Sequence, residues 1–306
     1  MNVAVLGPGG VGGLVACALD RAHTPVAVLA RESTAETISA RGLRVSSVLL
    51  GDFIAHPRAF ARLEEPVDVL IVATKAAGLR DALGRVATEP KLVLPLLNGL
   101  DHVAVLRERF GEATVVAGTI RVEVDRPEPG VVVHTSQFLL VEMASRYPTA
   151  DEPMQRLAST LSGAGIPARV GGSEPQVMWS KLVRLNALAC ATSAFDRLLG
   201  EIRSTPELRA ELVGAIEEGC AVARAEGASI ASGDPLGELT AAHATLGSSM
   251  QRDIAAGRPP ELDAIPGAVL RAAVRHAIEC PTIERLVGMI AARAGVPLPA
   301  AGLTRS

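Results

Sequence analysis

Short runs of apolar residues, each bounded by polar or glycine-containing segments, recur through the first half of the chain. They are VAVL at residues 3–6, PVAVLA at 25–30, VDVLIVAT at 67–74 and KLVLPLLN at 91–98. Continuous rather than alternating runs of this length are typical of parallel strands, because helices cover both faces of such sheets. The pattern predicts an α/β domain, in which LVACALDRA forms the first helix.

The pattern changes along the chain and predicts a second, helical domain. The β-rich segments ATVVAG, RVEVDRPEPG, VVVH and QFLLVEM are expected to continue the first sheet and to close the α/β domain. From about Gly171, longer stretches with helical spacing take over, such as PELRAELVGAIEEGCAVARAEG. The segment GGSEPQ at this change indicates a domain boundary, which we place between residues 170 and 171.

The segment between the first strand and the first helix has the spacing GxGxxG. It reads Gly7-Pro8-Gly9-Gly10-Val11-Gly12. In a strand–turn–helix setting, the first glycine permits the tight turn, the second lets a pyrophosphate approach the backbone, and the third allows close helix–strand packing. The helix N-terminus then attracts the phosphates. We predict that these six residues bind a dinucleotide, and a glycine-rich turn without a ligand is the alternative.

The residues after the second strand bear on which dinucleotide is bound. An NAD site usually has a carboxylate at this strand end for the ribose 2′-hydroxyl, whereas an arginine there suits the 2′-phosphate of NADP. Arg31 follows the strand directly and Glu32 comes next. This order favours NADP(H), with NAD(H) and a solvated charge pair as the alternatives.

Two further strands are followed by, or end at, polar residues. Lys75 follows the run at 67–74, and Asn98 ends the run at 91–98, directly before Gly99. Because ligands of open α/β sheets lie beyond the carboxyl ends of the strands, we expect Lys75 and Asn98 near the cofactor and the substrate. Asparagine before glycine is also common in turns, so a purely structural role stays open for Asn98.

Composition narrows the class of function. The 306 residues carry a formal net charge of −3 and no basic cluster, which argues against nucleic acid as a partner. No apolar stretch reaches the ~18 residues of a membrane span, and the N-terminus lacks the features of a secretory signal. The four cysteines are scattered and predict neither a metal site nor a disulfide framework. We predict a cytoplasmic protein that acts on a small molecule. The oligomeric state stays open, and a homodimer is one of the alternatives.

Lysine is rare in this chain, which draws attention to Lys181 in the helical half. Lys75, Lys91 and Lys181 are the only lysines among 30 basic residues. Arginine stays protonated at cellular pH, whereas lysine can release a proton. Hydride that reaches a ketone carbon leaves negative charge on oxygen, which needs a nearby proton donor. Lys181 is therefore a candidate general acid, and a surface cation is the alternative.

Several motifs follow one another over nearly the full length of the chain, namely GPGGVGG, ATKA, LLNGL, WSKL, SSMQRDI and ELDAIPG. In this order they resemble the motifs of the ketopantoate reductase (2-dehydropantoate 2-reductase) family. The resemblance implies NADPH-dependent reduction of a 2-oxo acid, 2-dehydropantoate first, to a 2-hydroxy acid. It also implies a Rossmann-type NADP-binding domain at residues 1–170, followed by an all-helical domain at residues 171–306 of the 6-phosphogluconate dehydrogenase C-terminal type.

The same resemblance assigns roles to individual residues. Lys181 matches the general acid, Glu261 the carboxylate that supports it, and Ser249 a substrate-binding hydroxyl. Asn98 matches an asparagine between nicotinamide and substrate. The resemblance also makes Lys75 a lysine on the cofactor side and Arg31 the residue that binds the 2′-phosphate. Without the resemblance, Glu261 would be an ordinary acidic residue in the first turn of a helix that Pro259 and Pro260 precede.

The chain departs from the family pattern beside Lys181. Typical members carry asparagines four and eight residues after the catalytic lysine, where this chain has Leu185 and Ala189. Asn186 is one residue out of register, about 100° around a regular helix, and we keep it as a candidate substrate-binding residue without treating it as equivalent. The substrate is therefore 2-dehydropantoate or a different, more apolar 2-oxo acid. A non-catalytic NADP-sensing protein is a further alternative, although it would need no acid–base pair.

Overall fold

The computed structural model describes residues 1–300, which divide into two compact units. The first unit contains Met1–Leu97 and His102–Val177, and the second contains Asn98–Asp101 and the chain from Met178 onward. The chain therefore enters the second unit at Asn98, returns at His102 and crosses again after Val177. From the sequence, where β-rich segments give way to helical ones, we placed the boundary seven residues earlier, between residues 170 and 171.

The first unit begins with alternating strands and helices and continues with further strands. Its strands are β1 (Val3–Leu6), β2 (Val26–Leu29), β3 (Leu43–Ser47), β4 (Phe53–Ala55), β5 (Arg58–Phe60), β6 (Val69–Val72), β7 (Leu92–Pro95), β8 (Ala117–Arg121), β9 (Val124–Asp125), β10 (Val131–His134), β11 (Leu140–Ala144) and β12 (Ala168–Val170). Its helices are α1 (Gly10–Arg21), α2 (Glu32–Arg41), α3 (Leu79–Leu83), α4 (His102–Phe110) and α5 (Asp151–Gly163), with 3₁₀ turns at Ala76–Gly78 and Pro148–Ala150.

The main sheet is parallel and has the order β5-β2-β1-β6-β7. Alternate residues of β1 enter two different cores, with Val3 and Val5 in one and Ala4 and Leu6 in the other. Burial on both faces explains why these strands are apolar throughout, and it confirms the predicted strand type. The strand order reverses between β1 and β6, which makes the carboxyl ends of these two strands the topological switch point where such folds bind ligands.

Most of the later β-rich segments do not continue this sheet, so that part of the prediction was largely wrong. Only Val115, in ATVVAG, forms a parallel bridge to Val93 of β7. The later strands form separate sheets with the orders β4-β3-β10-β9 and β12-β11-β8. Within these sheets, β10 pairs antiparallel with β9, and β11 pairs antiparallel with β8. β10 also pairs parallel with β3, and β11 pairs parallel with β12, so both sheets are mixed. β9, β10 and β11 follow β8 without an intervening helix, so they lack the crossovers by which further parallel strands would join the main sheet.

The second unit is helical, and the second of its two long helices packs against four others. Its helices are α6 (Glu174–Phe195, whose first residues belong to the first unit), α7 (Leu199–Ser204), α8 (Pro206–Ala225), α9 (Gly233–Ala241), α10 (Ser249–Ala255), α11 (Ala268–Arg275) and α12 (Pro281–Ala294). Helix α8, which the sequence predicted, packs against α7, α9, α11 and α12. The core of this unit consists mainly of aliphatic side chains, together with Trp179, Met250 and three of the cysteines.

The chain after Pro259 and Pro260 does not begin a regular helix at Glu261, as the sequence suggested. A π-helical turn at Asp263–Gly267 comes first and leads into α11. Pro266 lies inside this turn and has no amide proton, so the carbonyl of Leu262 accepts from the amide of Gly267, at 3.1 Å. The proline thus explains the wider turn, and Glu261 lies just before it.

None of the described helices combines the length and the apolar character that crossing a membrane would require. The four cysteines are unpaired and buried. The cytoplasmic location and the homodimer stay predictions.

Candidate active site

The predicted glycine-rich turn connects β1 to α1 at the switch point of the parallel sheet. Gly7 has a φ of +93°. A Cβ on Gly12 would lie 2.2 Å from the carbonyl oxygen of Gly7, so only glycine allows α1 to start this close to the end of β1. At Gly9, a Cβ would meet no atom within 4 Å. The backbone of the turn is therefore open to a ligand at Gly9.

The same turn has hydrogen-bond donors that fit the phosphates of a dinucleotide. Helix α1 starts at Gly10, so the amides of its first turn have no partner within the helix. Thr74 follows β6, packs close to Gly7, and has a buried Oγ1 with no hydrogen-bond partner in the described structure. Such a hydroxyl costs free energy that a bound ligand would recover. Pro8 and Val11 complete the predicted turn, Pro8 being buried and Val11 partly buried.

The other predicted cofactor residues also follow parallel strands. Arg31 is exposed at the N-cap of α2, and its guanidinium forms no ion pair with a residue that the structure describes. Glu32 is exposed beside it, in the first turn of α2. Lys75 is exposed after β6, at the start of the 3₁₀ turn. These residues therefore lie at the carboxyl ends of β2 and β6, on the edge of the sheet where the glycine-rich turn follows β1.

Three predicted site residues are joined by hydrogen bonds in the second unit. The Nζ of Lys181 donates to Oδ1 of Asn98 at 2.9 Å, and Nδ2 of Asn98 donates to Oε2 of Glu261 at 3.1 Å. These side chains come from α6, from the loop after β7 and from the segment before the π turn. We call Lys181, Asn98 and Glu261 the polar triad.

The chemistry of the polar triad fixes the orientation of the Asn98 amide. An ammonium group only donates and a carboxylate only accepts, so Oδ1 must face Lys181 and Nδ2 must face Glu261. Lys181 is only 8% exposed, whereas Asn98 and Glu261 are partly exposed. A charged amine with so little access to water requires polar partners, and Asn98 is one of them. The sequence predicted that Glu261 supports Lys181, and the structure adds the asparagine that bridges them.

Gly99 allows the loop that carries Asn98 to approach the π turn. It has a φ of +88°, and a Cβ on it would lie 2.0 Å from the carbonyl oxygen of Ala264. Ala264 belongs to the π turn that follows Glu261, so this close approach brings Asn98 within hydrogen-bond distance of that carboxylate. The Asn-Gly pair is therefore both a turn and part of the polar triad.

Ser249 is the first residue of α10 and is exposed. The N-cap is its neighbour Ser248, whose Oγ accepts from the amide of Gln251 at 3.0 Å and from Oγ1 of Thr192 at 2.8 Å. Because Thr192 lies on α6, this bond fixes α10 to the helix that carries Lys181. The hydroxyl of Ser249 forms no hydrogen bond within the described part of the chain, and its contact with a substrate stays a prediction.

Asn186 has no solvent-exposed surface. Its Oδ1 accepts from the thiol of Cys190 at 3.5 Å, and its Nδ2 is buried without a hydrogen-bond partner among the described residues. Burial, reinforced by the charge of Glu218, raises the pKa of Cys190 to about 12, so the thiol keeps the proton that it donates. The rotation of Asn186 away from Lys181 around α6 places it in the helical core, which argues against its predicted contact with a substrate.

The face of α6 that continues beyond Lys181 is apolar. Leu185, one turn further along, is partly exposed and packs against the helical core, and Ala189 has no exposed surface. Neither side chain offers a hydrogen bond. A substrate held at Lys181 would therefore meet an aliphatic side chain at Leu185.

Two further residues were not among the predicted site residues: Thr74, beside the glycine-rich turn of the first unit, and Arg271, beside the polar triad of the second unit. The polar position of Thr74 directly after a buried strand was a usable signal. Arg271 on α11 binds the carboxylates of Asp101 and Asp263, which flank the segments of the polar triad. An arginine within a helix of mixed composition is usually a solvated cation, so the sequence held no comparable signal for Arg271.

Comparison with protein families gives matches over most of the chain. Residues 3–142 match the model described as "Ketopantoate reductase PanE/ApbA", and residues 175–294 match "Ketopantoate reductase PanE/ApbA C terminal".

Individual relatives cover nearly the whole length. The 2-dehydropantoate 2-reductase of Halobacterium salinarum is 31% identical, over 95% of this chain and 98% of its own. The crystal structure of 2-dehydropantoate 2-reductase from Geobacter metallireducens GS-15 has a TM-score of 0.87 at 26% identity, over 95% of this chain and 99% of that one. A ternary structure of D-mandelate dehydrogenase with NADH and anilino(oxo)acetate has a TM-score of 0.88 and covers 96% of this chain and 99% of that one. Its 20% identity shows the fold alone.

The fold and these relatives define an oxidoreductase with a Rossmann-type α/β domain followed by a helical domain. The chain belongs to the ketopantoate reductase family. The resemblance that the motifs indicated is thereby confirmed, together with the fold class and the enzymatic nature of the protein.

Proposed function

We propose that this protein reduces a 2-oxo acid to a 2-hydroxy acid with NADPH, and that 2-dehydropantoate is its first candidate substrate. The observation that carries the proposal is the polar triad, in which an amine that is only 8% exposed is bonded through an amide to a carboxylate. An amine so placed can protonate an oxygen that gains negative charge. The family of the chain makes the carbonyl oxygen of a 2-oxo acid the fitting acceptor.

Each member of the polar triad has a distinct part in the proposed reaction. When bound, NADPH supplies the hydride that reaches the carbonyl carbon. Lys181 donates a proton from Nζ to the carbonyl oxygen, which becomes the product hydroxyl, and the amine regains a proton from solvent. Asn98 takes one of the N–H donors of the ammonium and so restricts the direction of the others. Glu261 accepts from Nδ2 of Asn98 and so orients the amide whose Oδ1 faces the amine.

The choice of NADP(H) over NAD(H) is supported by Arg31. Its guanidinium is exposed at the end of β2 and has no carboxylate partner among the described residues. A 2′-phosphate would supply the missing anion, with a charge-assisted hydrogen bond. Glu32 beside it is the feature that favours NAD(H), the cofactor named for the D-mandelate dehydrogenase structure.

A second candidate is the same reaction on a bulkier, more apolar 2-oxo acid. It is favoured by Leu185, an aliphatic and partly exposed side chain one helical turn beyond Lys181. The D-mandelate dehydrogenase of the same fold was solved with anilino(oxo)acetate, a carboxylate that carries an aromatic ring. Ser249 is the remaining candidate for a hydrogen bond to either kind of substrate.

A panel of 2-oxo acids tests these proposals. Oxidation of NADPH would be followed with 2-dehydropantoate, with bulkier aliphatic 2-oxo acids and with aromatic ones, and the panel would be repeated with NADH. The highest kcat/KM for 2-dehydropantoate supports the first candidate, and a higher value for a bulkier acid supports the second. Tight binding of NADPH without turnover of any 2-oxo acid would instead identify a cofactor-sensing protein and overturn the reductase proposal.

A further inference from the structure

Arg271, on α11, joins two carboxylates that come from distant parts of the chain. One Nη donates to Oδ1 of Asp263 at 2.8 Å, and the other donates to Oδ2 of Asp101 at 2.5 Å. The second Nη also donates to the backbone oxygen of Asp263, at 2.8 Å. The side chain of Arg271 is 16% exposed, whereas those of Asp101 and Asp263 are 53% and 65% exposed, so the guanidinium is mostly buried and its carboxylate partners face solvent.

The two carboxylates belong to the two segments that meet in the polar triad. Asp101 lies three residues after Asn98 in the same loop, and Asp263 lies two residues after Glu261 at the start of the π turn. The hydrogen bond between Asn98 and Glu261 and the bridge through Arg271 therefore join the same two segments, at neighbouring points. Gly99, directly after Asn98, approaches Ala264, directly after Asp263, and so adds a third contact between the same two segments.

The charge and shape of Arg271 suit this bridge. Burial lowers the pKa of its guanidinium, but the hydrogen bonds with Asp263 and Asp101 outweigh burial and leave the pKa above its ordinary value. The planar group presents several donors in a fixed fork, so that one side chain can hold both carboxylates. A lysine would keep the charge without that geometry.

We propose that Arg271 is a positioning residue of the polar triad, which sets the distance between Asn98 and Glu261 by binding Asp101 and Asp263 together. Loss of the guanidinium frees the Asn98 loop from the π turn, and the amide of Asn98 then leaves Glu261. This structural effect is independent of the reaction, whereas the effect on turnover rests on the proposed reductase function.

Selective labelling of asparagine tests the structural effect directly. The chain has only Asn2, Asn98 and Asn186, so a protein labelled with ¹⁵N-asparagine gives signals from three side-chain amides. An Asn98→Ala variant assigns the signal of interest. In Arg271→Gln, we expect the Asn98 amide protons to lose the downfield shift of a bond to carboxylate and to exchange with solvent at least about tenfold faster, while the Asn2 and Asn186 signals stay in place.

The matched control is Arg275→Gln, one turn further along α11. Arg275 pairs with Glu226 at 2.9 Å, and its side chain is 54% exposed, so its loss should leave the Asn98 signal unchanged. Asp101→Ala is a milder second variant for the case that Arg271→Gln fails to fold, because it keeps the bond between Arg271 and Asp263 and adds no further asparagine amide. It should alter the Asn98 signal in the same direction.

Steady-state kinetics add the functional effect. We expect Arg271→Gln to lower kcat about tenfold or more, with the dissociation constant for NADPH within about twofold of the parent, whereas Arg275→Gln changes neither. Arg271→Lys should recover only part of the loss. An unchanged Asn98 signal in both Arg271→Gln and Asp101→Ala would overturn the positioning role. Absence of turnover in the parent would overturn the reductase proposal alone, because the amide signals are read without substrate.

Discussion

At the scale of single residues, the amine of Lys181 is the group on which the proposed chemistry depends most. Lys181→Arg keeps the positive charge but removes a group that can release a proton. We expect kcat to fall roughly 10²–10⁴-fold, the usual effect of losing a general acid, while the dissociation constant for NADPH changes little. Steady-state rates at saturating NADPH measure this.

The matched control for that substitution is Lys91→Arg. Lys91 pairs with Asp68 at 2.9 Å in the first unit, and its side chain is 75% exposed. Arginine should replace it without a change in rate. If Lys181→Arg also stays within about threefold of the parent, Lys181 is a surface cation and not the proton donor.

Arg31 is the residue on which cofactor choice should depend. With the exposed guanidinium in place, we expect NADP(H) to bind at least tenfold more tightly than NAD(H), a difference of about 1.4 kcal/mol. Arg31→Ala should remove most of this preference by weakening NADP(H) binding and leaving NAD(H) binding nearly unchanged. Fluorescence titration with both cofactors checks the prediction, and equal dissociation constants in the parent would contradict it.

At the scale of elements, the loop at Asn98–Asp101 depends on Gly99, where both the backbone conformation and a close contact require glycine. Gly99 has a φ of +88°, and a Cβ there would lie 2.0 Å from the carbonyl oxygen of Ala264. Gly111 has nearly the same φ, +90°, but a Cβ on it would meet nothing within 4 Å. Alanine substitutions at the two positions therefore distinguish the cost of backbone strain alone from the cost of strain together with steric overlap.

We expect Gly111→Ala to cost about 1–2 kcal/mol of unfolding free energy, from its left-handed backbone alone. Gly99→Ala should cost more, and it should also lower kcat, because the Asn98 loop must move away from the π turn. Thermal unfolding and steady-state rates of both variants test this. Equal costs for the two substitutions, with unchanged kcat, would mean that the loop does not need its close contact with Ala264.

At the scale of the whole molecule, a buried histidine makes stability depend on pH. His134 on β10 bonds through Nδ1 to Ser47 at 2.8 Å and through Nε2 to Ser136 at 3.1 Å. The hydroxyl of Ser136 donates to the backbone oxygen of Phe138, so Nε2 must carry the proton and Nδ1 must accept from Ser47. Burial lowers the pKa of His134 below 6.5, despite the opposing effects of its hydrogen-bonded surroundings and of Glu123.

Because the folded pKa is depressed, the unfolded chain binds more protons in the window just below pH 6.5. The contribution of His134 to stability is therefore complete above that pH and is lost as the pH falls towards the lowered folded pKa. Denaturant unfolding between about pH 7.5 and pH 5 should show a loss in the parent that is smaller in His134→Gln. A His56→Gln variant, at an exposed histidine, should retain the loss of the parent, and identical slopes in all three proteins would contradict the role of His134.

The sequence by itself determined the local elements of this protein and the types of residue in its site. Continuous apolar runs predicted β1, β2, β6 and β7, because a strand covered on both faces needs an apolar side chain at every position. The spacing from Gly7 to Gly12 predicted the dinucleotide turn, because strand, turn and helix are contiguous along the chain. Motif order indicated the family, and the rarity of lysine drew attention to Lys181.

Only the tertiary structure decided which residues meet. The bond between Asn98 and Glu261 spans 163 residues, and the bond between Arg271 and Asp101 spans 170. The later strands were recognised as strands but were assigned to the wrong sheet, and Asn186 proved to be buried in the helical core. The physical reason is common to these cases. The pattern of apolar residues indicates which positions are buried and whether they recur with the period of a strand or of a helix. Hydrogen-bond partners depend instead on how elements distant in sequence pack together, and no local sequence pattern encodes that packing.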